Sequence, residues 1–295
     1  AGKLTEQYKT LRTDHFPPRM EISFLHEDGK RSVLLYEKVC WNLDGEVKGL
    51  RYGENPDQEA ALYRLINGNL VLGEVETIKP GRYLCSHIEL LQSGKHPGKI
   101  NITDVDSALN ILRYFSETPC AAIIKHNNPS GVARGETLSS AFEKAFKADR
   151  LAAFGGAVAL NRTVDRETAE QITEQYFEVI AAPEYEEGVL ALFQQKKNLR
   201  VLRIQNIKNL EQYVGTIFLD FKSLLDGGLI VQSSFNPVTL SSEDFLPAEV
   251  EYKGKLYRVE REPTREEYTD MLFGWLVETG ITSNSVIYVK NGVTI

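Results

Sequence analysis

The sequence predicts an α/β protein in which a mostly parallel sheet is covered by helices on both faces. Three short apolar runs, at residues 120–124, 157–160 and 179–182, and a strand-like stretch at 199–204 have the length of strands in a buried sheet. Stretches with apolar residues spaced three and four apart separate them, as amphipathic helices require. The resulting strand-helix alternation calls for crossover connections.

Taken in order, the first strong helix runs over 104–115. Val105, Ala108, Leu109, Leu112 and Phe115 share one face, Thr103 and Asp106 are the expected N-terminal cap, and Pro119 closes the segment. The first apolar strand follows. Leu138, Ala141, Phe142, Ala145 and Phe146 predict the next helix, Asp165 caps another through Phe177, and 186–196 reads as a fourth. Residues 235–262 break the pattern: Pro237, Pro247 and many acidic residues suggest a connector, with Tyr252, Leu256 and Val259 alternating as in a small hairpin. Beyond it Pro263 opens a helix with Tyr268, Met271, Leu272, Trp275 and Leu276 on one face. A strand over 285–290 follows, and Lys290-Asn291-Gly292 signals a hairpin turn or a strand exit. The expected organisation is an N-terminal linker-like segment (1–47), a first subdomain (48–234), a connector (235–262) and the start of a second α/β unit (263–295). The chain begins with Ala1 and stops within a strand-like segment at Ile295, so a fragment of a longer protein is expected.

Composition narrows the function. Of 295 residues, 42% are hydrophobic and 25% charged, the profile of a globular chain. With 34 Lys and Arg against 41 Asp and Glu the net charge is −7, which argues against nucleic acid as partner, since no basic excess neutralises phosphates. Cys40, Cys85 and Cys120 are isolated and form no CxxC pair, which fits a reducing, cytoplasmic setting. No apolar run approaches the roughly 20 residues of a membrane helix, so no membrane partner is expected.

Chemistry concentrates in three polar knots. KHNNPSG at 125–131 follows a buried strand and is read as a loop leading into a helix, at the carboxyl end of the strand where ligands of open α/β sheets bind. It offers a cation, an imidazole able to take a proton near neutrality and two amides, although Asn, Pro, Ser and Gly are also ordinary turn formers. RYGENPDQ at 51–58 brings Arg51, whose forked donors suit phosphate, and Tyr52, with a hydroxyl and a stacking face; a plain turn is the alternative. AFGG at 153–156 can lay Phe154 and bare backbone against a planar ligand, or serve as a tight entry to a strand. The motifs GxxxxGK[ST], GxGxxG, HxE with PCxxC, and HExxH are missing. His15, His26, His87 and His96 have no metal-ligand spacing and read as surface or packing residues.

In this order and spacing the motifs resemble the aminoimidazole carboxamide ribonucleotide (AICAR) transformylase, the formyltransferase part of the bifunctional purine-biosynthesis enzyme. The resemblance is carried by RYGENP (51–56), IN-x-x-D (100–104), KHNNPSG, AFGG, IAAPEYEEGVL (180–190), GGLIVQ (227–232) and SNSVIYVKNG (283–292), and covers residue 48 to the end. It implies cytidine-deaminase-like three-layer α/β/α subdomains without zinc, and a homodimer with sites at the subunit interface. The implied reaction is formyl transfer from 10-formyltetrahydrofolate, a cosubstrate, to the 5-amino group of AICAR. By position His126 is the implied general base, Lys125 the adjacent charge, and Asn284 the amide that orients the imidazole and stabilises the oxyanion. Arg51 and Tyr52 are implied to hold phosphate and ribose, with Asn101, Phe154, Gly155 and Glu178 lining the purine-precursor pocket. The family usually has His where Asp57 stands and SYNN where residues 98–101 read GKIN. Its pattern continues past the segment matching Ile295 into a Gly-rich stretch that contributes to the folate site, and no cyclohydrolase domain is recognised, so ring closure is not expected. The alternatives are a nucleotide-binding protein without turnover and a formate-dependent formylation of the same nucleotide.

Overall fold

The computed structural model describes residues 14–68, 70–76 and 79–295. In the N-terminal part, β1 (Arg19–Leu25), β2 (Arg31–Lys38), the ribbon β3 (Trp41–Leu43) and β4 (Glu46–Lys48), β5 (Tyr63–Leu65), and the ribbon β6 (Val71–Leu72) and β7 (Val75–Glu76) precede β8 (Glu89–Gln92). The middle holds α1 (Lys99–Leu112), β9 (Cys120–Lys125), β10 (Asn128–Arg134), α2 (Leu138–Ala148), α3 (Arg150–Ala153), β11 (Ala157–Leu160), α4 (Arg166–Thr173), β12 (Val179–Ala182), α5 (Val189–Phe193) and β13 (Arg200–Arg203). Hairpins β14 (Leu219–Ser223) with β15 (Leu229–Ser233) and β16 (Glu249–Tyr252) with β17 (Lys255–Arg258) lead to α6 (Arg265–Glu278), β18 (Val289–Lys290) and β19 (Val293–Thr294).

The three apolar runs and the strand-like stretch do form the centre of an eight-stranded sheet, ordered β18-β19-β10-β9-β11-β12-β13-β8. Because strand side chains alternate between faces, each run feeds two cores. Ala122, Ile124, Ala157, Ala159, Val179, Ala181 and Leu202 pack with α1 and with Phe273, Leu276 and Val277 of α6. Ala121, Ile123, Val158, Leu160, Ile180, Ala182 and Val201 pack with α2, α4 and α5 on the other side. The protein is therefore α/β with helices on both faces. Among the described residues no helix is long and apolar enough to cross a membrane.

Several expectations are corrected. The sheet is mixed: only β11-β12 and β12-β13 are parallel, whereas β9 is antiparallel to both β10 and β11. The cause is local. Residues 125–131 do not lead into a helix; His126 and Asn127, with φ of 54° and 61°, make a two-residue turn that sends the chain straight back as β10, pairing Lys125 with Asn128. Positive φ at both central positions is the signature of a type I′ hairpin, whose twist matches the flanking strands. The first helix also starts earlier, at Lys99. Asn101 Oδ1 accepts the Gly98 N–H at 3.0 Å and sets that end, while Thr103 Oγ1 turns back to Ile100 O inside the helix. Of the strand expected over 285–290 only Val289–Lys290 pairs, but the Asn291-Gly292 turn is found, with φ of 54° and 67°. Asp270 of α6 accepts both of its N–H groups at 2.7 Å. Asp165 caps α4 as expected, accepting the Thr168 N–H. Of the N-terminal linker-like segment, residues 1–13 lie outside the described residues, and β1 and β2 pair in front of β5.

Candidate functional site

The register of the sheet brings the polar knots to one row of strand ends. Ile124 of β9 pairs with Ala157 of β11, Ala157 with Val179 of β12, and Val179 with Arg200 of β13. Lys125, Gly156, Glu178 and Arg200 therefore share a rim. It is the carboxyl end of β9 but the amino ends of β11, β12 and β13. The expectation of a site at carboxyl ends holds only for β9, because that strand runs against its neighbours.

Lys125 Nζ donates to the Phe154 carbonyl at 2.8 Å, tying the lysine to the AFGG turn. Phe154 is 61% exposed with its ring 5.0 Å from that of Tyr176, and the Gly155 N–H donates to Tyr176 O. An aromatic edge thus stands free on the rim. One strand further, Asn101 Nδ2 donates to Glu178 Oε2 at 3.1 Å, and Arg200 Nη1 lies 3.7 Å from the same carboxylate. Arg200 is buried, and its Nε donates to Lys95 O at 3.0 Å. Burial lowers its pKa and Glu178 opposes the fall.

The start of α1 closes this cluster from the other side. The Arg51 N–H donates to Pro97 O and Lys99 N–H to Tyr52 O, so the RY segment is stitched to the loop that enters the helix. The Arg51 guanidinium sits 5.1 Å from the Tyr52 ring centre, a cation–π contact. A β-carbon on Gly98 would stand 3.3 Å from that ring, so the glycine in GKIN is what admits Tyr52 so close. His96, expected at the surface or in packing, is 6% exposed; burial and the cations Arg51, Lys48 and Arg200 push it down to about 4. It is held neutral inside a basic pocket.

His126 sits on the I′ turn beside the same helix. Asn101, Asp104 and Ser107, three apart, form one stripe of α1 facing this rim. Asp104 Oδ1 accepts the Asn127 N–H at 2.7 Å and Ser107 Oγ meets Asn127 Oδ1 at 3.4 Å. Burial raises the Asp104 pKa, against the pull of the Asn127 N–H and of His126. Asn284 is not brought to this turn. It lies after α6, accepting from Ser283 Oγ, and among the described residues no hydrogen bond joins it to His126 or Lys125.

Arg51, Tyr52, Asn101, Phe154, Gly155, Glu178 and Lys125 thus belong to one connected rim, with His126 on its turn. Arg200, His96 and Asp104 were not read as site residues. A signal existed for Arg200, since an arginine opening an apolar strand needs an anion or carbonyls when buried. None existed for His96, whose cationic neighbours come from β4, the RY segment and β13.

Fold and rim together define an α/β protein that gathers charged, amide and aromatic side chains along one row of strand ends. Within that class the chain belongs to the AICARFT/IMPCHase bienzyme family, whose model matches residues 20–295. It is 35% identical over 249 residues to the bifunctional purine biosynthesis protein PurH of Caldicellulosiruptor saccharolyticus, covering 84% of this chain and 43% of that protein. To the protein of the same name from Ruegeria sp. it is 40% identical over 248 residues (83% and 41%), and to that from Oceanobacillus iheyensis 34% over 291 residues (99% and 49%). The chain spans about half the length of the curated relatives it matches.

Proposed function

We propose that this protein performs the formyl-transfer step of purine biosynthesis, moving a formyl group from 10-formyltetrahydrofolate to the 5-amino group of AICAR. One observation carries the reading: the Lys125-His126 turn, the Arg51-Tyr52 pair and the Asn101–Glu178–Arg200 cluster converge on one row of strand ends in a chain of this family. The acceptor amine is a poor nucleophile, because its lone pair is delocalised into the imidazole and carboxamide. His126 takes its proton as it attacks the formyl carbon. Asn284 orients the imidazole and stabilises the oxyanion that forms, with Lys125 as the adjacent charge. Collapse of the oxyanion breaks the bond between the formyl carbon and N10 of the folate, and the proton held by His126 passes to N10, releasing tetrahydrofolate. Arg51 holds the nucleotide phosphate although the chain is acidic overall, since local potential outweighs net charge at contact distance.

Asn284 is unbonded to His126 within one chain, so its role belongs to the homodimer that we also propose, with sites at the subunit interface. The subdomains are taken as cytidine-deaminase-like without zinc, divided at the 235–262 connector, and the setting as cytoplasmic. Conversion of 10-formyltetrahydrofolate to tetrahydrofolate, followed by absorbance with the full-length protein and AICAR, tests the proposal. AICAR-dependent turnover is expected. Nucleotide binding without turnover, or turnover only with formate as donor, would overturn it.

A further inference from the structure

The turn carrying His126 is an unfavourable one for its sequence. Type I′ hairpins put both central residues at positive φ, which asparagine tolerates at the first position and glycine favours at the second. Here His126 takes the first position and Asn127 the second, at φ of 54° and 61°, with no glycine in the turn. A contact from outside the turn holds it. Asp104 is 5% exposed and its Oδ1 accepts the Asn127 N–H at 2.7 Å. Hydrogen bonds to an ionised acceptor are about twice as strong as neutral ones. The same device recurs among the described residues, where Asp270 of α6 grips both N–H groups of the Asn291-Gly292 turn.

We propose that Asp104 is the positioning residue for the His126 base: by gripping the turn backbone from α1 it fixes the one conformation from which the imidazole faces the substrate, without itself touching substrate. The proposal rests on the reading of His126 as base, but the grip on the backbone is independent of any reaction. Asn101, one helical turn earlier on the same stripe, bonds Glu178. One helix face therefore sets the relative placement of the base and the pocket wall.

In the full-length protein, Asp104→Asn keeps an acceptor oxygen and removes the charge, whereas Asp104→Ala removes both. Amide hydrogen exchange at Asn127 is expected to accelerate at least tenfold in Asp104→Ala while the amides of α1 keep their protection. Turnover is expected to fall roughly tenfold in Asp104→Asn and roughly 100-fold in Asp104→Ala, the penalty of misplacing a catalytic group by about 1 Å, with the KM for nucleotide within about twofold. Native Asn127 exchange in Asp104→Ala overturns the grip. A native kcat in either variant, or a loss expressed in KM alone, overturns the positioning role; should Asp104→Ala fail to fold, Asp104→Asn still decides. Accelerated exchange in a protein whose native form shows no formyl transfer leaves the grip standing and removes the functional reading instead.

Discussion

Two hairpin turns in one sheet, Lys125–Asn128 and Lys290–Val293, have the same geometry and opposite sequence logic. Each places both central residues at positive φ, and each is gripped by an aspartate from a helix on the same face, Asp104 or Asp270. Asn291-Gly292 is what the turn type demands, and a structure-only role accounts for it. His126-Asn127 is not. A histidine in left-handed backbone, held by a buried carboxylate whose own ionisation is disfavoured, marks a place where local preference yields to another requirement. On the proposed reading of His126 as base, the difference separates a turn that closes a hairpin from a turn that presents a side chain.

The largest expected effect breaks that comparison most directly. His126→Ala is expected to lower formyl-transfer turnover by roughly 10²- to 10⁴-fold, the usual contribution of a general base, while the nucleotide dissociation constant changes by no more than about twofold. Asn291→Ala should leave turnover untouched. Steady-state assays with calorimetric titration of AICAR decide it; equal losses of turnover and affinity in His126→Ala would mean that the histidine binds rather than transfers protons.

Next comes the grip on the structural turn. Asp270→Ala leaves two N–H groups without their charged acceptor and is expected to lower unfolding free energy by roughly 2 kcal/mol in urea titrations, with kcat unchanged. A fall in kcat at native stability would erase the distinction between the two turns.

The same contrast explains what was legible beforehand. Residues 120–124, 157–160 and 179–182 were readable as strands because uninterrupted burial on both faces leaves no other economical reading, and the Asn291-Gly292 turn because its composition states its backbone. The hairpin at 125–128 was not readable. His and Asn do not announce a I′ turn, so the chain looked as though it entered a crossover helix, and the sheet was taken as mostly parallel. From that one turn follows the reversal of β9, and with it the placement of the site at the amino ends of β11 to β13. Arg51 and Tyr52 stand out in the sequence as a polar knot, with a plain turn as the alternative, whereas Asn101 and Glu178 are reached through resemblance to a family; Arg200 and His96 depend on strands and loops far apart in sequence, a proximity that periodicity does not encode.

The site end of the molecule carries an electrostatic cost that the Asn291 turn lacks. His96, lowered to about 4 from an ordinary 6.5, binds its proton less readily folded than unfolded. Between those values the unfolded chain holds more protons, so stability is full above about pH 6.5 and falls as pH drops toward 4. His96→Gln is expected to remove on the order of 1 to 2 kcal/mol of that fall, measured by urea unfolding at pH 7 and 4.5. An identical fall in both proteins would show that His96 takes up its proton freely in the folded state.

The smallest effect is the sharpest test of the comparison, because it asks the two turns for opposite signs. Gly292 has φ of 67°, and a β-carbon there would stand 2.9 Å from the Arg134 guanidinium, so Gly292→Ala is expected to destabilise by about 1 kcal/mol or more. His126→Gly relieves a strained backbone at φ of 54° and is expected to stabilise by about 0.5 to 1 kcal/mol while removing turnover. A glycine also gains freedom in the unfolded chain, which offsets part of that gain and makes a small positive value the informative one. Thermal and urea unfolding of both variants supply the measurement. If His126→Gly is instead less stable than the native protein, the imidazole contributes to folding, and the turn is not one in which stability has been traded for the presentation of a base.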